Sequence, residues 1–354
     1  MLNKIKFFQG YIIVFGSAVL SVIILQLLIF PKVFHDYSNI YASFMQDFYN
    51  YSIAAIILNT IAFYQYKKYN TNYLLFFIFF ILFVLYLVLF TNNIQIVIFS
   101  TSIFFYEIVK NILRIQNKDI VLGILFPLNM LLIYLSLHFS NPYLAHIYVN
   151  SILSLSVFFY YKMYLVTFVK IPVKQVFYNS LDIVLNVLNK DLDKILVLNL
   201  LINKDNNTLT FIIVFGLILM PIQLLGKYLV TDEKYNMLFN LKKLSAFVVI
   251  LSIFSSIASI FIVDYLYHID ISNYTNIIIL IILTKMIYSV GYLLFSKQEN
   301  EFNINLVSIK FVLLFILFLV VYVVNSSLES LLLCYLIYLI LFYSVDYFSN
   351  KREK

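Results

Sequence analysis

The chain has 354 residues, of which 63% are hydrophobic and 12% charged, with a mean hydropathy of +0.95. A soluble domain carries about 25% charged residues, so no water-soluble core can hide this much apolar side chain. The formal charge of +7 does not indicate nucleic acid, because no basic low-complexity arm is present, and Cys334 stands without a partner for a disulfide or a Cys metal site.

In chain order, apolar runs predict helices over about 8–31, 41–66, 73–91, 94–113, 119–139 and 143–165, then about 175–203, 207–230, 244–267, 273–296, 305–324 and 327–348. None shows the ten-residue alternation of a membrane β-barrel strand. A spanning helix needs roughly 20 residues, so twelve use about 240 positions and leave about 114 for thirteen loops and tails. Fewer than ten residues per connection leaves no room for a soluble catalytic domain, which takes about 50 or more. The first run follows Lys4 and Lys6 and has no small-residue cleavage site before Lys32, so it reads as an uncleaved first span.

Lysine and arginine placement sets the expected orientation. With the N-terminus inside, the inner segments hold 18 of the 24 Lys and Arg residues, the outer loops hold Lys32 and Lys204, and four lie within spans. A miscounted span would put the later loops on the wrong side. The expected architecture is all-α: a polytopic membrane protein with twelve transmembrane helices and both termini cytoplasmic. Its two six-helix bundles, residues 1–168 and 169–354, would be parallel pseudo-repeats, an inference from count and length.

The seventh span holds the strongest functional signal. Gln175, Asn179, Asp182, Asn186, Asn189, Lys190 and Asp193 recur at helical spacing, and Lys194 extends the same face. A charge at mid-bilayer costs about 2.5–3.5 kcal/mol on insertion scales, so this stripe faces protein or a water-filled cavity. Two readings stand side by side. Lys190 with Asp193 and Asp191 with Lys194 are each three apart and can neutralise each other locally, whereas cavity lining also accounts for the Asn positions further along the stripe.

Lys285 lies near the middle of the tenth span, where the sequence names no partner for it, and Lys310 lies close enough to the start of the eleventh to snorkel. In the first half, Glu107 reads as a local pair with Lys110, and Asp47 sits close to an interface; Asp264 and Asp346 sit at span ends. His35, His138, His146 and His268 lack the spacing of a helical metal site, and the six glycines form no phosphate-binding loop, so neither metal nor cofactor is expected. Pro127 and Pro221 fall inside spans as possible kinks.

The run from Lys190 to Val197 after Pro172, followed by a short loop and a span with Pro221, resembles the Asp-basic-apolar signature in the seventh helix of polysaccharide flippases. These belong to the superfamily that also contains multidrug and toxin extruders. The region from Phe30 to Tyr51, with Asp36-Tyr37 opening the second helix, is similar to that family's N-terminal pattern; the glycines usual after the first and seventh helices are absent.

The resemblance implies a non-enzymatic transporter of the bacterial inner membrane that moves a polyprenyl diphosphate-linked oligosaccharide from the inner to the outer leaflet, alongside a polysaccharide polymerase partner. Such a head group needs cations for its phosphates and amides for its sugars. Lys190, Lys194, Lys285 and Lys310 would supply the first, and Asn179, Asn186 and Asn189 the second; Asp182 or Asp193 would couple to protons or sodium. A drug exporter of the same superfamily would want a mainly acidic cavity, and a membrane polymerase or ligase a long basic outer loop. A purely structural partner has no need of a buried charged stripe.

Overall fold

The computed structural model describes residues 13–14, 16–69, 73–163, 173–201, 205–218, 241–295, 304–324 and 327–352. Apart from short turns and connections these are helical, with no strand among them. In chain order the helices are α1 (Gly16–Asp36), α2 (Tyr41–Tyr69), α3 (Leu74–Phe90), α4 (Ile94–Ile115), α5 (Asp119–Ser136), α6 (Pro142–Tyr160) and α7 (Val173–Leu200). They continue as α8 (Asn206–Ile218), α9 (Leu241–Tyr267), α10 (Thr275–Phe295), α11 (Ile304–Val324) and α12 (Leu328–Arg352). Each coincides with one of the twelve apolar runs. Seven (α1, α4, α5, α6, α10, α11 and α12) are long and apolar enough to cross a membrane, and α3, α8 and α9 contain shorter apolar helices. The chain is a multi-pass membrane protein. The two long helices outside these sets carry interior polar residues: Asp47, Asn59 and Gln65 on α2, and the charged stripe on α7.

The helix ends follow from local chemistry. The Asn93 and Asn141 side chains accept hydrogen bonds from Gln95 N–H and Leu144 N–H at 2.9 and 3.0 Å, capping α4 and α6, and Pro142 fits the first turn, where no N–H is needed. Asp205 caps α8 through Thr208 N–H. With six glycines in the whole chain, left-handed residues that end helices are Asn117 (φ 54°), Lys162 (φ 49°) and His268 (φ 54°). After α4 and α6 the chain folds back so that Lys118 N–H reaches Leu113 C=O and Met163 N–H reaches Phe158 C=O. Within α1, a π turn at Leu25–Ile29 precedes Pro31, and Phe30 N–H donates to Leu25 C=O. The wider turn relieves the proline's clash with the preceding turn. In the loop before α10, Ser272 N–H donates to Asp270, whose carboxyl is thereby held below its usual range.

The chain divides within α7 into two compact units, Met1–Leu188 and Asn189–Lys354. In unit 1, α4 is central: it packs most extensively on α6, next on α2, and also on α3, while α5 lies against α6 and α2 against α3. Tyr37 ties two turns together by donating to Leu137 C=O and Ser140 C=O, both at 3.0 Å. In unit 2, α10 is central. It packs most extensively on α12 and also on α9 and α8, while α11 lies against α12 and α8 against α9. Each of these unit 2 pairs has its counterpart six helices earlier.

Candidate functional site

The polar face of α7 is described from Asn189 onward. Asn179, Asp182 and Asn186 fall on described helix, but their side chains lie outside the described residues. From Asn189 on, the face turns into unit 2 and meets α10 and α12.

Its centre is an ion pair. Lys285, midway along α10, is fully buried and donates from Nζ to Asp193 Oδ1 at 2.8 Å, with Oδ2 at the same distance but off the hydrogen-bonding direction. Asp193 is also fully buried. Lys285 Nζ further donates to Lys190 C=O at 3.2 Å, using that carbonyl's second lone pair. The sequence named no partner for Lys285; the structure gives it a carboxylate 92 residues away.

The neighbouring charges are matched along α7 itself. Lys194, 1% exposed, donates to Asp191, three residues back, and Lys190 Nζ stands 3.9 Å from Asp191 Oδ2. Of the two local pairs the spacing suggested, Asp191 with Lys194 forms, while Lys190 approaches Asp191 and Asp193 turns to α10. A carboxylate and an ammonium taken out of water cost several kcal/mol each, which only close pairing and further hydrogen bonds offset.

Asn189 is held from α12. Tyr335 OH donates to its backbone C=O at 2.6 Å and Tyr338 OH to its side-chain Oδ1 at 2.8 Å, both tyrosines being buried. Asn189 Nδ2 has no hydrogen-bond partner among the described residues, nor has Ser289 Oγ on α10. Lys310 sits apart from this group: its Nζ is 2.7 Å from Asp346 Oδ1 on α12 and 4.6 Å from the centre of the Phe342 ring. The structure therefore brings together Asn189, Lys190, Lys194, Lys285 and Asp193, and leaves Lys310 in a separate α11–α12 pair.

Tyr335 and Tyr338 were not singled out by the sequence, which placed Asp346 only at a span end. Their only signal was spacing on one face of α12, weak in a chain with 30 tyrosines. The arrangement presents cations whose present partners are carboxylates, beside an amide N–H with an open position. An incoming anion could exchange with those carboxylates without any new side chain being brought in. No metal-binding group of His, Cys, Asp and Glu occurs among the described residues. Comparison of the chain with protein-family models, with characterised proteins and with solved structures finds no match.

Proposed function

We propose that the protein is a transporter of the polysaccharide flippase kind, moving a polyprenyl diphosphate-linked oligosaccharide from the inner to the outer leaflet of a bacterial inner membrane. The observation that carries this reading is the fully buried Lys285–Asp193 pair with its satellites Asn189, Lys190, Asp191 and Lys194. A bundle with only a structural task gains little from such a cluster, since apolar residues of the same volume stabilise a core at least as well. The resemblance in the Lys190 to Val197 run supplies the substrate class.

The architecture proposed with it is twelve spans, both termini cytoplasmic, in two six-helix bundles that are parallel repeats. The 18 to 2 distribution of Lys and Arg supports the topology. The recurrence of helix pairs six apart, with α4–α6 matching α10–α12 and α5–α6 matching α11–α12, supports the repeat. In this mechanism a diphosphate draws Lys190, Lys194 and Lys285 from their carboxylates, and Asn189 Nδ2 donates to a sugar hydroxyl or phosphate oxygen. Asp193, left buried without its cation, then takes up a proton or sodium ion, which couples loading to a change in the bundle. By their spacing in the sequence Asn179 and Asn186 are proposed as further amide donors to the glycan and Asp182 as an alternative coupling group, with Lys310 a phosphate contact only once released from Asp346.

The test is leaflet exchange. Purified protein is reconstituted into vesicles bearing a fluorescent short-chain polyprenyl diphosphate oligosaccharide, and accessibility of the outer-leaflet glycan to an impermeant lectin is followed. The reading expects the lectin-accessible fraction to rise beyond the outer-leaflet share. A fraction equal to that of protein-free vesicles would exclude it.

A further inference from the structure

Unit 1 carries along α6 a row of four polar side chains, three of which hold an atom without a hydrogen-bond partner among the described residues. Tyr143, His146, Asn150 and Ser154 follow at steps of three, four and four, which at roughly 100° per residue keeps them within about 80° on one face. His146, Asn150 and Ser154 are at most 3% exposed. His146 Nε2, Asn150 Oδ1 and Ser154 Oγ have no hydrogen-bond partner among the described residues.

Both ends of the row are defined. At the start of α6, Tyr143 OH donates to Asp47 of α2 at 2.7 Å, and both residues are partly exposed. Just inside, His146 lies among the rings of Phe44, Phe48 and Phe99, with centroids 5.3–5.9 Å away. One turn beyond Ser154, Phe158 meets Phe105 of α4 at 5.3 Å and Phe77 of α3 at 6.1 Å, and these rings close the far end.

Three consecutive unmatched polar groups in a hydrocarbon-flanked interior would cost an appreciable part of a domain's net stability. The spacing offers the remedy. Four residues of helix rise about 6 Å, roughly twice a hydrogen bond between oxygens, so one water between His146 and Asn150, and another between Asn150 and Ser154, meets both neighbours at bonding length.

We propose that this face of α6 binds a file of water that enters beside Asp47 and Tyr143, passes His146 and ends at the Phe158 ring. Ser154 lies about 18 Å along the axis from Pro142, so the file reaches past the middle of a hydrocarbon layer about 30 Å thick. His146 places an imidazole nitrogen, Nε2, on its course. The inference rests on unit 1 alone and stands apart from the transport reading.

Two measurements on the full chain test it. The first is hydrogen–deuterium exchange at imidazole C2 in D2O, read by peptide mass spectrometry, with the exposed His138 as internal reference. Exchange at His146 on the timescale of His138 is expected; a proton retained at His146 after His138 has exchanged fully overturns the file. The second uses silver ion, small enough for a single-file path, on Ser154→Cys or Asn150→Cys in a Cys334→Ser background, scored as protection from later maleimide labelling of denatured protein. Ala145→Cys, buried on the opposite face of α6, is the dry control. Protection at 154 or 150 but not at 145 is expected, and equal protection or equal inertness at all three overturns the proposal.

Discussion

Units 1 and 2 pair their helices in the same order but bury different chemistry. Around α4 and α6, unit 1 buries neutral polar groups: Asn59, Asn129, His146, Asn150 and Ser154. Around α10 and α12, unit 2 buries Asp191, Asp193, Lys194, Lys285, Lys310 and Asp346. A neutral acceptor out of water can be satisfied by one or two water molecules, whereas a buried charge demands a counter-charge at bonding distance. Hence the unit 2 lysines meet carboxylates across or along helices, while several unit 1 acceptors have no hydrogen-bond partner among the described residues. A shared packing plan therefore does not dictate a shared task.

The largest effect separating the units is expected at Lys285. Lys285→Ala leaves Asp193 buried without its cation and should destabilise the protein by about 3–5 kcal/mol, seen as a fall in the thermal unfolding midpoint in detergent. Lys285→Met with Asp193→Leu should recover most of that loss, because it removes both charges together. Removing Lys310 is milder: Asp346 keeps some access to water, so Lys310→Met should cost about 1.5–3 kcal/mol.

Two glycines give the next comparison. A Cβ at Gly291 of α10 would lie 2.4–2.6 Å from the base of the Tyr343 ring, which is fixed by α12 and donates to Tyr288 C=O, so Gly291→Ala should cost about 1–2 kcal/mol. At Gly123 of α5 the nearest atoms are the Ile13 Cγ2 methyl at 2.5 Å and Ser17 Oγ at 3.1 Å; the methyl clears only by a change of χ1, which the exposed Ile13 has room to make, and Gly123→Ala should cost less in the same assay. Smallest is Glu107→Gln in unit 1. Its pair with Lys110 is local and partly exposed, and Lys110 retains the Tyr106 and Phe126 rings at 5.3 and 4.9 Å, so about 0.3–0.5 kcal/mol is expected. An effect at Glu107 equal to that at Lys285 would erase the contrast between the units.

The twelve helices were legible because each carries its own signal, a hydrophobic run ended by polar residues. The Asp191–Lys194 and Glu107–Lys110 pairs were legible for the same reason, being one helical turn apart. The tertiary pairs were not. Lys285 and Asp193 are 92 residues apart, and Asn189 lies 146 and 149 residues from Tyr335 and Tyr338, so no local pattern joins them. The α6 row had a pattern, 146, 150 and 154 at steps of four. It is built of His, Asn and Ser among many apolar neighbours, however, and a search for metal spacing passes over it. The π turn at Leu25–Ile29 has only Pro31 as its trace in the sequence.

The measurement that bears most directly on the transport reading uses the neutral pair Lys285→Met with Asp193→Leu in the vesicle lectin assay. If the buried cluster serves transport, this variant should accumulate, unfold near the wild-type temperature, and move no lipid-linked oligosaccharide. Transfer at the wild-type rate by a folded variant lacking both charges would contradict the account and leave the pair a structural element.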